Sequence, residues 1–309
     1  MKLEPDKQFK VTVDAVMAIL AKYGLVLYRY SLATSGIENT TIIVETDVKK
    51  VVVRIYRLEK KPLSEIELEI NFMNYLNLNG ILVPRIIYNN KKSFLTKLIW
   101  DKKTWQVVVF DFVDGEQALE YNSGLIIDIS HWQARMHLIS EQYNCPDNSP
   151  KLNKVLYEDN FLSLIDLGTI TNNRILSFLK RSKNYRVTLS EELPSGLCHL
   201  DYDKDNIICD KNKVKSILDF DDVAVAPYVL CLGYTLWHIW RYGGKEMADL
   251  YLKKYELYRP LNALEKSFIK SVILFRHYMI SDLNILNGHT SSGDAEQYIK
   301  LEHEILSGL

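Results

Sequence analysis

His199-Leu200-Asp201-Tyr202-Asp203-Lys204-Asp205-Asn206, entered from Gly196-Leu197-Cys198 and left through Ile207-Ile208-Cys209, decides how this chain reads. The pattern is H-x-D-x-x-x-x-N, and Ser216-Ile217-Leu218-Asp219-Phe220-Asp221 follows shortly after. The apolar flanks predict a strand on each side of the loop, with Asp210-Lys211-Asn212-Lys213 as the tight turn of a hairpin. The return strand Val214-Lys215-Ser216-Ile217-Leu218 then brings Asp219 back beside Asn206. One acid is left free to meet a hydroxyl, while an Asn and an Asp converge on one point.

Phosphoryl transfer calls for those parts: a carboxylate that orients the accepting hydroxyl, and oxygen ligands for Mg²⁺ that neutralise nucleotide phosphates. Protein kinases carry H-R-D-x-x-x-x-N and then D-F-G. Here Leu200 stands for the Arg and Asp221 for the Gly. The stretch resembles instead the aminoglycoside phosphotransferase, choline kinase and type II homoserine kinase superfamily, small-molecule kinases with a protein-kinase-like fold. The resemblance implies Asp201 as the catalytic residue, Asn206 and Asp219 as metal ligands, Mg²⁺ as cofactor, and ATP or GTP as phosphoryl donor.

Composition bounds the partners. At 309 residues the chain is long enough for two lobes, each with its own core. It is 47% hydrophobic and 25% charged with a net charge of −1, so nothing favours a nucleic acid. No apolar run reaches the length of a membrane span. The expected partners are a small-molecule alcohol and a nucleoside triphosphate, with no nucleic acid and no membrane. Cys145, Cys198, Cys209 and Cys231 show no C-x-x-C spacing, and the last three sit in apolar runs as expected of buried thiols. The start, Met1-Lys2-Leu3-Glu4-Pro5-Asp6, is charged and broken by Pro, unlike a signal peptide. A reducing, cytoplasmic compartment is the expectation.

In the N-terminal half, residues 11–23 predict a helix. A small polar turn, Ala33-Thr34-Ser35-Gly36-Ile37-Glu38-Asn39, then separates two strand-like runs. Such a turn can lay backbone N–H groups over phosphates, and the resemblance assigns Ser35, Gly36 and Asn39 to the nucleotide. Arg54 interrupts the next apolar strand, where an unpaired cation would be costly to bury. The following helix opens near Pro62, with Ser64 and Glu67 at capping-box spacing. Ile66, Ile70, Met73 and Leu76 form its apolar stripe; Glu69 falls in the middle, Glu65 at the edge, and Glu67 points away. A carboxylate there, after a strand carrying a buried cation, predicts an Arg54–Glu69 ion pair, the pair that holds phosphates in kinases. Val107-Val108-Val109-Phe110-Asp111-Phe112-Val113 is a core strand breaking into a turn, which places a lobe boundary between 1–113 and 114–309. The resemblance makes its end, at Phe110 and Phe112, the adenine contact.

The C-terminal half predicts helices over 125–140, 161–167, 173–179, 228–242, 246–258, 261–286 and 294–306. Ala134-Arg135-Met136-His137 resembles the A-x-x-H helix of the superfamily, and His137 is expected to buttress the catalytic loop. Where the superfamily usually has an Asp, near the start of the 228–242 helix, this chain has Cys231. Asp282, Asn284, Glu302 and Glu304 are candidates for an acidic acceptor pocket, and a solvated helix face explains them equally well. The expected fold is α+β, bilobal and protein-kinase-like, with a small antiparallel-sheet N-lobe, one key helix and a mostly helical C-lobe. The expected reaction is Mg²⁺-dependent transfer of the γ-phosphoryl group of ATP or GTP to an amine-bearing alcohol of aminoglycoside, choline or homoserine type. A protein kinase is the first alternative, opposed by the lack of an A-P-E signature and of a long activation segment after Asp219. A nucleotide-binding regulator without turnover is the second, opposed by the intact Asp201, Asn206 and Asp219.

Overall fold

Val, Ile and Thr crowd residues 40–56 and 96–111. Such stiff, branched side chains favour extended backbone. In the computed structural model these segments build a six-stranded antiparallel sheet. The structure describes residues 9–33, 39–57, 61–152, 155–156, 172–286 and 292–308. Contacts gather the chain into two compact units. One joins Met1–Gln117, Pro146–Ser149 and Ile207–Asp221; the other joins Ala118–Cys145, Pro150–Asn206 and Asp222–Leu309.

The first unit opens with helix α1 (Val13–Ala21), whose Thr12 hydroxyl caps it by accepting from the Ala15 N–H. Strands β1 (Leu27–Leu32), β2 (Thr40–Thr46), β3 (Lys50–Tyr56), β4 (Ile86–Ile87), β5 (Thr96–Trp100) and β6 (Lys103–Asp111) form the sheet, in the order β1-β2-β3-β6-β4 with β5 also on β6. Val51, Val53 and Ile55 of β3 are buried in one core with Val16, Ile19 and Leu20 of α1. The period of two in a strand sends Arg54 and Tyr56 to the other face, where they meet helix α2 (Leu63–Leu78). Pro62 is the N-cap of α2, with φ −59° and ψ 152°, and no side chain caps the helix. The capping box expected of Ser64 and Glu67 does not form. Ser64 lies inside the first turn, whereas a capping Ser needs the non-helical backbone that Pro62 occupies.

Strand β7 (Glu116–Gln117) completes a second sheet with the hairpin β11 (Ile207–Asp210) and β12 (Lys213–Ile217), in the order β12-β11-β7. Ile207 pairs with Ile217, so the expected hairpin around Asp210 to Lys213 is present, and Lys211 takes φ 56° in its turn.

The second unit is mostly helical: α3 (Ser123–Ser140), α4 (Asn173–Asn184), α5 (Tyr228–Gly243), α6 (Lys245–Glu256), α7 (Ala263–Leu286) and α8 (Ser292–Gly308). Two small ribbons accompany them, β8 (Val155–Leu156) with β9 (Val187–Thr188), and β10 (Ser195–Cys198) with β13 (Ala224–Pro227). The expected helix over 161–167 lies outside the described residues. Among the described residues no helix is long and apolar enough to cross a membrane. Cys198, Cys209 and Cys231 are buried thiols outside any disulfide, as their apolar surroundings predicted.

Helix α5 is buried nearly all round and packs tightly on α7. A Cβ at Gly233 would lie 2.5 Å from Val272 Cγ1, so only glycine admits this spacing. Overpacking of that kind costs about 1–3 kcal/mol, more than the ~1 kcal/mol of helix propensity that alanine restores. Gly233→Ala is expected to lower stability by about 1–2 kcal/mol in denaturant unfolding. An unchanged or raised midpoint would show that the two helices part freely.

Candidate active site

In the first unit, strand β3 delivers Arg54 and helix α2 delivers Glu69. Glu69 is fully buried, as its place in the apolar stripe predicted. Arg54 Nη1 lies 3.7 Å from Glu69 Oε1, so the expected pair exists but is not the shortest contact. Lys61, just before α2, puts Nζ 2.5 Å from Glu69 Oε2, and the Tyr56 hydroxyl donates to Oε1 at 2.8 Å. Burial raises the Glu69 pKa, while Arg54 and Lys61 pull it back. Arg54 Nη2 also reaches Asp219 Oδ1 at 2.8 Å and holds Asp221 Oδ2. Lys61 donates to the Asp221 carbonyl at 2.8 Å, and Asn39 Nδ2 to Asp221 Oδ2 at 2.6 Å. Asp219 is non-glycine at φ 61°, a left-handed conformation worth noting at a candidate ligand, and 45% of its side chain is exposed.

Ser35 and Gly36 lie outside the described residues. Phe110 sits within the sheet, opposite Val52 of β3 on one edge and Ile86 of β4 on the other. The Phe112 N–H donates to Lys50 O at 3.4 Å, and Lys50 Nζ lies 4.1 Å over the Phe112 ring.

In the second unit, β10 leads into the loop that carries Asp201. His199 is fully buried, and its Nδ1 accepts from the Asp201 N–H at 3.3 Å. Leu200 turns the chain at φ 63°, again left-handed without glycine. Asn206 Nδ2 donates to both Asp201 O and Asp201 Oδ2, each at 2.9 Å. Its amide nitrogen is thus committed to the loop, and Oδ1 is the atom it can offer a cation. The Tyr202 hydroxyl donates to Ile129 O at 2.9 Å, and Thr235 Oγ1 donates to Tyr202 O at 3.0 Å, which ties the loop to α3 and α5. His137 is a core residue beneath it, with Nδ1 2.7 Å from the Tyr255 hydroxyl. At the departure position, Cys231 Sγ accepts from Gln133 Nε2 at 3.6 Å.

Asp203 follows on the same loop. Its Oδ1 accepts from the Asp205 N–H at 2.8 Å, and its Oδ2 is 3.4 Å from His238 Nε2. Tyr121 O–H accepts from the Lys204 N–H and meets His238 Nδ1 at 2.7 Å. Burial, with Asp201 nearby, raises the Asp203 pKa to about 6; burial lowers that of His238 to about 4.

Of the acidic acceptor candidates, Asp282 and Glu302 are fully buried. Asp282 binds Ser182 Oγ, and Glu302 is gripped by Arg181 at 2.8 and 2.5 Å and by the Tyr278 hydroxyl at 2.6 Å. Asn284 donates to the Tyr298 hydroxyl, and Glu304 pairs with Lys300 one turn away. Asp282, Asn284 and Glu302 join helices to one another, Glu304 pairs within its own helix, and among the described residues the four form no common acidic pocket. Sequence reasoning missed Lys61, a loop lysine with no pattern to mark it. It also missed Arg276 of α7, whose Nη2 is 3.5 Å from Asp201 Oδ1. Arg276 interrupts the apolar run Val272-Ile273-Leu274-Phe275, the same signal that exposed Arg54.

With two cations on one carboxylate, Arg54→Met or Lys61→Met alone should cost little beyond the lost packing. The double substitution strands Glu69 and should cost about 3–5 kcal/mol more than the sum of the two. A denaturant-unfolding cycle measures this, and additive losses would mean Glu69 needs neither cation. Asp203 gives a pH-dependent expectation. Its folded-state pKa lies above the unfolded value, so its contribution is fully present below about pH 4 and lost as pH rises through about 6. Asp203→Asn keeps an acceptor for the Asp205 N–H and should stabilise the protein by about 1–3 kcal/mol at pH 8, and hardly at all at pH 4. A gain of equal size at both pH values would contradict the assignment.

The chain is similar to known proteins along most of its length. Residues 29–264 match the model of the phosphotransferase enzyme family. The homoserine kinase of Polaromonas naphthalenivorans (strain CJ2) is 23% identical over 272 residues, covering 85% of this chain and 84% of that protein. The homoserine kinase of Bartonella henselae (strain ATCC 49882 / DSM 28221 / CCUG 30454 / Houston 1) is 22% identical over 271 residues, covering 82% and 79%. Among solved structures, the amicoumacin kinase hAmiN in complex with AMP-PNP, Ca²⁺ and Ami superposes with a TM-score of 0.71 at 18% identity, over 96% of this chain and 93% of that one. A microcompartment-associated aminopropanol kinase gives 0.69 at 18% identity, over 95% of each chain. The fold is that of these small-molecule kinases, bilobal and protein-kinase-like as expected. With the family model matched over more than half its length, the chain belongs to the phosphotransferase enzyme family.

Proposed function

We propose that this phosphotransferase transfers the γ-phosphoryl group of ATP or GTP, with Mg²⁺, to a hydroxyl of a small amine-bearing alcohol. The observation that carries the reading is the loop around Asp201. Its carboxylate remains 37% exposed while Asn206 fixes one of its oxygens, which is the arrangement a hydroxyl-orienting base needs. Asp201 aligns the acceptor hydroxyl and takes up its proton. Arg54, supported by Glu69, meets the nucleotide phosphates together with Lys61 and Asn39, and the sequence resemblance adds Ser35 and Gly36 to the nucleotide's contacts. The backbone at Phe110 and Phe112 is the proposed adenine contact.

The donors fit a hard divalent cation, since carboxylate and amide oxygens are the ligands Mg²⁺ prefers. Asp219 offers an accessible carboxylate and Asn206 its Oδ1. The β11–β12 register supports the pairing: Asn206 directly precedes Ile207, and Asp219 comes two residues after Ile217, the partner of Ile207. When bound, the ion neutralises charge on the phosphate oxygens. Arg54 now occupies the Asp219 carboxylate, so ligation there exchanges one positive partner for another. The relatives named homoserine kinase and the neighbours acting on amicoumacin and aminopropanol support an acceptor that carries an amine.

Asp201→Asn is expected to leave nucleotide affinity nearly unchanged and to lower turnover by on the order of 10²–10⁴. Lost affinity with surviving turnover would remove Asp201 from its role. Asp219→Ala should abolish the strengthening of nucleotide binding by Mg²⁺ in a calorimetric titration. An unchanged Mg²⁺ dependence would take Asp219 off the metal.

A further inference from the structure

Arg276 lies in the middle of α7, directly after a buried apolar run, and its side chain is only 17% exposed. Its guanidinium stacks 4.5 Å over the ring of Tyr234 from α5, which holds the plane of the fork. One nitrogen, Nη2, approaches Asp201 Oδ1 at 3.5 Å, and Nε is buried with no hydrogen-bond partner among the described residues. Contrast Arg181 in the same unit: it grips Glu302 with two nitrogens at 2.8 and 2.5 Å, as a structural pair does. Arg276 makes one long contact to a carboxylate that has another task. Among the described residues no protein carboxylate grips this guanidinium with two nitrogens.

We propose that Arg276 binds a carboxylate of the acceptor, so that the acceptor is a short hydroxy amino acid and not a bare amino alcohol or a polycation. The inference rests on the reading of Asp201 as the hydroxyl-orienting base. With ordinary hydrogen bonds to both residues, the acceptor's hydroxyl and carboxylate oxygens are no more than about 9 Å apart. Three- and four-carbon hydroxy amino acids meet that limit. A guanidinium so close to the base also opposes an acceptor whose hydroxyl is flanked only by cations.

The test uses acceptor pairs that differ only in the carboxylate: L-serine with 2-aminoethanol, L-threonine with 1-aminopropan-2-ol, and L-homoserine with 3-aminopropan-1-ol. Steady-state ADP release gives kcat/KM for each. The best pair should favour its amino acid by about 10–100-fold, the scale of one charge-assisted bidentate contact. Arg276→Gln should bring that ratio within about threefold of one, chiefly through KM for the amino acid, and Arg276→Lys should keep part of it. Because the readout is a ratio within one variant, partial loss of folded protein does not disturb it. A wild-type preference for the amino alcohols would overturn the proposal. So would an Arg276→Gln loss of kcat equal for both members, which would make Arg276 a positioning residue for Asp201, or a loss confined to KM for ATP. Turnover on choline or an aminoglycoside with none on the amino acids would overturn it and leave the kinase reading standing. No ADP release with any acceptor would overturn both.

Discussion

An ionised carboxylate buried on an apolar helix face is the constraint on which the first unit depends. Glu69 can stand there only because cations meet it. Arg54 comes from the face of β3 turned away from the α1 core, and Lys61 from the segment just ahead of α2. The same two cations hold the Asp219-Phe220-Asp221 turn, so one buried charge ties strand, helix and turn together. A buried ion pair is weak evidence for stability, since an apolar replacement is often neutral or better.

The Asp201 loop shows the same logic in the second unit. Leu200 holds a left-handed backbone, as does Asp219 in the first unit, and such residues persist only where their surroundings over-determine them. The Tyr202 hydroxyl does that for the loop by anchoring it to Ile129 O of α3, while Thr235 Oγ1 donates to Tyr202 O and His199 Nδ1 accepts from the Asp201 N–H. Asp203 is kept half-buried beside another carboxylate, although its raised pKa marks an unfavourable setting for charge. Strain, a half-buried acid and a half-used arginine all crowd around one exposed carboxylate. Such concentration of local cost is the setting in which functional sites are usually found.

Much of this was legible in the residues. The β11–β12 hairpin could be read because apolar alternation and a turn coincide, and Arg54 and Glu69 because each breaks an apolar pattern. Lys61 could not, because a lysine in a polar loop carries no periodic signal. The reach of Arg54 to Asp219, across 165 residues, is a tertiary fact that no local spacing records. Ser64 and Glu67 matched a capping box by spacing, but Pro62 fixes the helix boundary elsewhere. Asp282 and Glu302 look like possible pocket acids in the sequence because helix counting gives a face and not its neighbours. Those neighbours are Ser182, Arg181 and Tyr278.

The central claim is that the chain moves a phosphoryl group from a nucleotide to a small alcohol. The most direct measurement is ³¹P NMR of the protein with Mg²⁺, ATP or GTP, and a mixture of hydroxy amino acids and amino alcohols. The account predicts a growing phosphomonoester resonance matched by nucleoside diphosphate and by loss of the γ-phosphate signal. Intact nucleotide throughout, or inorganic phosphate as the sole new product, would contradict it.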